Sequence, residues 1–175
     1  MAEHTSPTLA PVPPIPAGYT VRGGLPPAQV YRDLRSGAGI IPVTDEQAEA
    51  AVKGTWYGCH IVHTSTTSSE ETIVGMGAVI ANGSWYFHIV DVAILPDHQR
   101  KGLGKLVIHS LMEYILANKA EGRPFICLSA SVKGTSLYRK CAFMDGEYFG
   151  ETGMVWEGTY PEIVKEVKEA EKARS

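Results

Sequence analysis

A short loop of glycine and basic residues is the part of this sequence best suited to chemistry. The stretch DHQRKGLG contains Arg100, Lys101, Gly102 and Gly104, and Lys105 follows it. An apolar run precedes the loop and LVIHSLMEYIL follows it, which predicts that a strand enters the loop and a helix leaves it. The first turn of a helix offers unpaired N–H groups and a partial positive charge, and glycine lets an anion approach the backbone closely. The pattern therefore predicts a loop that binds a phosphate or a diphosphate.

Two other kinds of phosphate-binding loop do not fit this spacing. The dinucleotide-binding fingerprint needs a third glycine, which is missing after Gly104. A P-loop needs a leading glycine and a Ser or Thr after its lysine, whereas Leu106 follows Lys105. The remaining alternative is an ordinary strand-to-helix turn with solvated charges.

A carboxylate inside an apolar strand is the second candidate for chemistry. Asp91 lies within IVDVAI, where a charged group must be paired, hydrated or shifted in its pKa. Three roles stay open: a base acting through water, a group that orients the amine or another side chain, or a carboxylate bound by backbone amides at a strand irregularity. Strict alternation places Asp91 with Ile89 and Ala93 on one face and His88 on the other. His88 is a weaker candidate for the base, because a strand histidine is more often solvated or packed.

The elements that must position these residues are predicted from periodicity and turn residues. Strands are predicted for YTVRGG, GTWYGCHIVHT, ETIVGMGAVIA, SWYFHIVDVAIL and FICLSAS, with a hairpin turn at Asn82–Gly83. Helices are predicted for AQVYRDLRSGA, for EQAEAAVKG behind a capping box of Thr44 and Gln47, for 103–118 and for GTSLYRKCAF. EYFGETGMVWEG predicts a closing hairpin, and PEIVKEVKEAEKARS predicts a charged terminal helix.

Length, charge and cysteine content limit the class of function. A chain of 175 residues is the size of one domain, preceded here by a proline-rich stretch, 1–17, that predicts an extended tail. The net charge of −3 argues against nucleic acid, and no apolar run reaches the ~18 residues of a membrane span. The three cysteines are too few for a disulfide framework, so we expect reduced thiols and a cytoplasmic protein. We expect no metal at Cys59, His60 and His63, because strand residues three apart point to opposite faces.

The loop and its neighbours resemble the GNAT superfamily of N-acetyltransferases. The family signature Q/R-x-x-G-x-G/A stands here as 99–104, between the strand VDVAILPDH and the long helix, and SLYRKCAF resembles the family's FYEKxGF segment. The resemblance covers most of 19–156. Ala142 replaces the usual glycine, and Ser131 stands where many members carry asparagine.

The resemblance implies a GNAT fold of the α/β (α+β) class. Its mixed, twisted sheet has six to seven strands, with a splay between strands 4 and 5, and helices flank it. Acetyl-CoA is the implied co-substrate, with its pantetheine arm in the splay and its diphosphate in the loop. The residues expected to bind it are Val92, Ala93 and Ile94 through their backbone, and Gln99, Arg100, Lys101, Gly102, Leu103, Gly104 and Lys105 around the diphosphate.

The resemblance also implies catalytic roles. Tyr138 matches the tyrosine that many family members place near the CoA sulfur, where a phenol can donate a proton to the departing thiolate. Asp91 is the second catalytic candidate, and a backbone N–H near Ile94 is the simplest oxyanion donor. A covalent intermediate on Cys127 or Cys141 is disfavoured, because nothing beside them suggests an activating histidine.

The expected function is direct transfer of the acetyl group to the primary amine of a small molecule, through a ternary complex. The alternatives are a protein-lysine acetyltransferase and a non-catalytic module that binds acyl-CoA. HIVDVAIL resembles the HIEDIAV run of glucosamine-6-phosphate acetyltransferases, but Val90 replaces its glutamate, so that substrate is not carried over. We expect the acetyltransferase domain at 18–158 and a helical extension at 159–175, whose apolar edge predicts a homodimer. No nucleic-acid or membrane partner is expected.

Overall fold

The computed structural model describes residues 11–150, 153, 154, 165, 168, 169 and 172. The chain divides into two compact units between Ala142 and Phe143. The strands of the first unit are β1 (Tyr19–Gly23), β2 (Tyr57–Thr64), β3 (Glu71–Ala81), β4 (Tyr86–Ile94) and β5 (Phe125–Leu128). Its helices are α1 (Ala28–Gly37), α2 (Asp45–Gly54), α3 (Leu103–Asn118) and α4 (Thr135–Arg139), with a 3-10 turn at Pro96–His98. In the described part of the second unit, Gly146–Phe149 forms another 3-10 turn.

The described strands form one mixed sheet in the order β1-β2-β3-β4-β5. The first four strands are antiparallel neighbours, and β5 pairs with β4 in parallel. A parallel pair needs a long crossover connection, and α3 provides it. The mixed α/β fold with flanking helices is confirmed. The strand number is lower than the six to seven expected, because five strands occur in the described residues.

The further strands that were predicted belong to the closing hairpin after β5. The prediction of a strand for the first arm of this hairpin is wrong where that arm is described, because Glu147 to Phe149 lie in a 3-10 turn. The second arm lies almost wholly outside the described residues, as do residues 1–10 and most of the predicted terminal helix. Within the described part of the chain, no helix is long and apolar enough to cross a membrane.

Local sequence signals begin and end several elements as predicted. At the start of α2, the Gln47 N–H donates to Thr44 Oγ1 at 3.2 Å and the Thr44 N–H donates to Gln47 Oε1 at 2.9 Å, which confirms the capping box. Between β3 and β4, Asn82 Oδ1 accepts from three following backbone N–H groups, and Gly83 adopts φ +74°. The long helix α3 has the predicted bounds.

Helices cover both faces of the sheet. On one face, α1 and α2 pack on β3 and β4 around a buried cluster of Tyr31, Leu34, Ala48, Met76 and Ala93. On the other face, α3 lies so close to β3 that a Cβ on Gly77 would be 3.1 Å from Leu111 Cδ1. β4 therefore runs between two packed layers, with residues of alternate sides committed to different helices.

Candidate active site

A β-bulge interrupts β4 at Asp91. The register of β3 against β4 shifts between Met76 and Ala78, so that Asp91 and Val92 stand opposite the single residue Gly77. Asp91 has φ +56°, in the left-handed region that Asp tolerates better than most residues. A strand irregularity is therefore present at this position, but the hydrogen bonds to the Asp91 carboxylate come from the side chains of Tyr31 and Arg35 and not from the backbone amides of that alternative.

The bulge decides which face of the sheet Asp91 joins. The Trp56 ring contacts both Phe87 and α3, with centroid separations of 5.1 and 5.2 Å, which places Phe87 and then Ile89 on the α3 face. Asp91 instead bonds to α1 and shares its face with Ala93. Strict alternation was therefore right for Ala93 and wrong for Ile89, because the extra residue of a bulge reverses the order of the faces.

The pairing between β4 and β5 ends halfway along β4. Their pairing covers four positions, from Tyr86 opposite Phe125 to Ile89 opposite Leu128. Val90 to Ile94 continue without a β5 partner, which gives β4 an open edge beside the bulge and agrees with the predicted splay. At the end of this edge, the Ile94 carbonyl accepts a hydrogen bond from Gln99 Nε2 at 2.9 Å. Gln99, one of the predicted cofactor residues, thus holds the end of the strand that contains Val92, Ala93 and Ile94.

The loop before α3 exposes a run of backbone donors. Arg100 and Gly102 adopt φ +61° and φ +85°, and the Gly102 carbonyl accepts from the N–H groups of Lys105 and Leu106. Within the described part of the chain, the five N–H groups from Arg100 to Gly104 donate to no backbone carbonyl. Consecutive N–H groups around left-handed residues form a concave anion site, and the start of α3 adds the positive end of its dipole. The geometry fits a diphosphate.

The two glycines of the loop serve different needs. Gly102 has open space around it and is required by its left-handed φ. Gly104 is in close contact with α4, because a Cβ there would lie 2.9 Å from Leu137 Cδ2 and would displace that side chain. Buried Leu103 follows the loop into the core. The signature thus fixes both the shape of the loop and the docking of α4 on it.

The basic side chains of the loop differ in their surroundings. Arg100, Lys101 and Lys105 are all exposed. Lys101 Nζ also donates to the Asp97 carbonyl at 2.8 Å and to the Tyr19 hydroxyl at 3.2 Å. The Tyr19 hydroxyl also forms a hydrogen bond with His98 Nδ1 at 2.8 Å, so a residue of β1 bonds to both His98 and Lys101. Sequence reasoning missed Tyr19 and His98, whose contact joins positions 79 residues apart.

Two residues of α1 hold the Asp91 carboxylate, and sequence reasoning missed both. The Tyr31 hydroxyl donates to Asp91 Oδ2 at 2.5 Å, and Arg35 Nη1 forms an ion pair with Oδ1. Arg35 Nη2 also donates to the Ile41 carbonyl at 2.8 Å, in the loop between α1 and α2. The Arg35 and Asp91 side chains are 12% and 14% exposed. Residues 31 and 35 lie on the same side of a helix because they are four positions apart, and this spacing was the available signal. Their common partner, Asp91, could not be recognised from the sequence.

Tyr138 lies on α4, next to the loop. It is half-buried, and this burial raises the pKa of its phenol above 10.0. The neighbouring Leu137 packs against Gly104, so the position of Tyr138 depends on the start of α3. Asp91 therefore bonds to α1, whereas Tyr138 belongs to the helix docked on the loop.

The two departures from the family pattern have structural explanations. Ser131 Oγ accepts from the Gly134 N–H at 3.2 Å, and the Ser131 carbonyl accepts from the Thr135 N–H at 3.1 Å. Serine and asparagine side chains can both accept such a backbone hydrogen bond in the turn before a helix. Ala142 has φ +66°, a conformation that favours glycine. The glycine that is usual in the family would therefore suit this backbone conformation.

A mixed sheet with an open strand edge, beside a loop whose N–H groups fit a diphosphate, defines the class of this protein as an acetyltransferase domain. The Acetyltransferase (GNAT) family profile matches residues 30–143. The chain belongs to this family. Among curated proteins, no sequence gives a significant match.

Solved structures agree with this assignment. A probable acetyltransferase of unknown function from meticillin-resistant Staphylococcus aureus is 30% identical, with 79% of this chain and 98% of that chain covered and a TM-score of 0.68. A GNAT-family acetyltransferase from Streptococcus pneumoniae is 21% identical over 79% and 96% of the chains, with a TM-score of 0.59. Glucosamine-6-phosphate N-acetyltransferase from Arabidopsis thaliana is 20% identical over 79% and 96%, with a TM-score of 0.54. The last two likenesses concern the fold alone.

Proposed function

We propose that this protein transfers the acetyl group of acetyl-CoA to the primary amine of a small molecule, in a ternary complex. The observation that carries the proposal is the run of five N–H groups from Arg100 to Gly104 beside the open edge of β4. Acetyl-CoA supplies an activated thioester. Every other requirement of the reaction has to be met by residues of this chain.

The loop and the open edge divide the binding of acetyl-CoA between them. The Leu95 N–H donates to the Val74 carbonyl of β3, so the backbone groups of Ala93 also face β3, and those of Val92 and Ile94 face the open edge. An extended arm with amide groups can pair there as an added strand would. The Ile94 carbonyl is used by Gln99, which leaves the Ile94 N–H as the donor for the thioester oxygen or for the oxyanion.

Tyr138 is the proposed proton donor to the departing thiolate. Burial raises the pKa of its phenol, so the hydroxyl keeps its proton at neutral pH. Burial also raises the pKa of the Cys141 thiol, which lowers its thiolate fraction and supports direct transfer over an acetyl-cysteine. The base role of Asp91 stays a prediction, since both of its carboxylate oxygens already accept hydrogen bonds.

A small acceptor is proposed because the face beside the bulge is closed by helices. Arg35 ties the loop between α1 and α2 to the same carboxylate that Tyr31 bonds, which argues against an open groove for a peptide. Val90 stands where the glucosamine-6-phosphate enzymes carry glutamate, so the fold-level likeness to one of them supports no particular amine.

We also propose a cytoplasmic location and a homodimer. All three cysteines are free thiols, as suits a reducing compartment. The apolar edge predicted to form the dimer, at Ile163, Val164 and Val167, lies outside the described residues. Light scattering of the purified chain measures the mass, and a monomer would remove the dimer from the proposal.

Calorimetry and a thiol-release assay test the function. We expect the protein to bind CoA but to bind pantetheine, which lacks the diphosphate, far more weakly. We expect free thiol to appear when acetyl-CoA is mixed with one class in a panel of arylalkylamines, amino sugars, polyamines and a lysine peptide. Turnover with the peptide alone would identify a protein acetyltransferase, binding without any turnover would identify a module, and no binding would overturn the proposal.

A further inference from the structure

We infer that Tyr31, Arg35 and Asp91 form a positioning cluster that fixes the β4 bulge and the α1–α2 loop relative to the open edge of β4. Its catalytic consequence rests on the proposed function, whereas its effect on the bulge does not. Asp91 fixes the backbone of the bulge, and the hydrogen bonds from Tyr31 and Arg35 fix the Asp91 carboxylate.

The cluster joins three segments through one carboxylate and one guanidinium. Tyr31 and Arg35 reach Asp91 from the same side of α1, and they occupy different carboxylate oxygens. The second terminal nitrogen of Arg35 reaches the Ile41 carbonyl at 2.8 Å. Helix, loop and strand are therefore linked at a single point.

The bulge needs such a restraint. Asp tolerates the left-handed conformation better than most residues, but the extended conformation is still the usual one inside a strand, and Asp91 departs from it there. A strand without the bulge would direct the carboxylate to the α3 face, where Val92 and Leu111 pack near Gly77. The two hydrogen bonds from α1 hold the carboxylate on the opposite face and so keep the bulge at this position.

Stability alone does not explain the arrangement. Removing an ion pair from water is costly, and apolar replacements of buried pairs are often neutral or stabilising. Arg35 Nε is also buried and has no hydrogen-bond partner in the described part of the chain, which adds to the cost. A geometric role explains why a charged pair stands at a position where apolar residues could serve stability as well.

A short stretch of β4 connects the bulge with the proposed cofactor site. Asp91 lies three residues before Ile94, whose carbonyl holds the Gln99 side chain at the start of the loop. A change of register at Asp91 would therefore displace Val92, Ile94 and Gln99 together. The expected defect is in the binding and alignment of acetyl-CoA and the amine, with proton transfer preserved.

Variants of the cluster and of a neighbouring arginine on α1 separate this role from others. Arg35→Met removes the guanidinium, Asp91→Asn keeps the shape of the carboxylate, and Arg35→Lys is the conservative rescue. The matched control is Arg32→Gln, because Arg32 also lies on α1 but pairs with Asp45 at a more exposed site. Hydrogen exchange, affinity for CoA, kcat, KM and the pH–rate profile are measured for each.

We expect faster hydrogen exchange at 90–94 in Arg35→Met and Asp91→Asn, with partial rescue by Arg35→Lys and none of these changes in Arg32→Gln. Since misplacement by about 1 Å can cost about 100-fold, kcat/KM should fall by about 10- to 100-fold with the acidic limb of the pH profile unchanged. Unchanged exchange, or loss of that limb in Asp91→Asn, would overturn the inference. If the wild type does not bind CoA, the proposed function fails, and the exchange data still decide the role of the cluster.

Discussion

Leu137 of α4 lies directly over Gly104 at the start of α3, in the space that a Cβ of residue 104 would occupy. That Cβ would be 2.9 Å from Leu137 Cδ2, the end of a flexible side chain that can move aside. Leu137 of α4 therefore packs closely on the start of α3. Tyr138 follows Leu137, so the packing of one glycine reaches the proposed proton donor.

Gly104→Ala tests this dependence. We expect the free energy of unfolding to fall by about 1 kcal/mol, because overpacking costs ~1–3 kcal/mol and the higher helix propensity of alanine offsets ~1 kcal/mol. We expect kcat to fall about tenfold, since the displaced Leu137 side chain would shift the adjacent Tyr138. The double variant Gly104→Ala/Leu137→Ala should recover kcat. Steady-state kinetics that show no loss in the single variant would contradict the coupling.

Gly102→Ala tests the left-handed turn of the loop. At φ +85° an alanine costs about 1–2 kcal/mol, and relaxation of the turn would disperse the N–H groups. We expect a lower melting temperature and at least tenfold weaker binding of CoA by calorimetry. Gly122→Ala is the control, because Gly122 has φ +108° and lies beyond the other end of α3. It should lose stability and keep its affinity, and equal losses of affinity in both variants would refute the assignment of the loop.

The sequence predicts what depends on neighbours along the chain. The bounds of α3 follow from apolar residues spaced three and four apart, and the capping box at Thr44 follows from its own side chains. The loop signature is a pattern of residue types within 99–104. Each of these features is complete within a few residues.

The features that could not be predicted depend on distant pairing. The side of the sheet that Asp91 joins depends on its register against Gly77, and the bulge is visible only when the two strands are paired. The Arg35–Asp91 pair joins positions 56 residues apart. No periodicity within β4 or α1 specifies either one.

Ala142→Gly should stabilise the protein. Ala142 has φ +66°, so glycine relieves ~1–2 kcal/mol of backbone strain and loses ~0.4–1 kcal/mol through the greater freedom of the unfolded chain. We expect the free energy of unfolding in urea to rise by about 0.5–1 kcal/mol. The same substitution at Ala38, which has φ −86°, should lower it. A loss of stability at both positions would show that the strain at Ala142 is compensated elsewhere.

Tyr138→Phe tests the proton donor. General acids contribute about 100- to 10,000-fold, so we expect kcat to fall at least ~100-fold while the affinity for CoA is unchanged. Because burial raises the phenol pKa above 10.0, the wild-type kcat should lose this contribution only as the pH rises beyond that value. Tyr148→Phe is the control, since Tyr148 is 73% exposed. A Tyr138→Phe enzyme with wild-type kcat would remove this residue from the mechanism.

Cys59 should make stability fall at alkaline pH. Its thiol is buried, its Sγ lies 3.9 Å from the Val107 carbonyl, and desolvation raises its pKa from 9.0 to about 11. Between these values the folded chain binds more protons than the unfolded chain, so the free energy of unfolding decreases as the pH rises, by ~2–3 kcal/mol over the window. Burial also raises the pKa of Tyr31 and Tyr57, which lowers stability in the same direction, so the slope is compared with that of Cys59→Ala. Urea unfolding between pH 8 and 11 measures it, and equal slopes in the two proteins would mean that the Cys59 thiol ionises as readily in the folded chain as in the unfolded one.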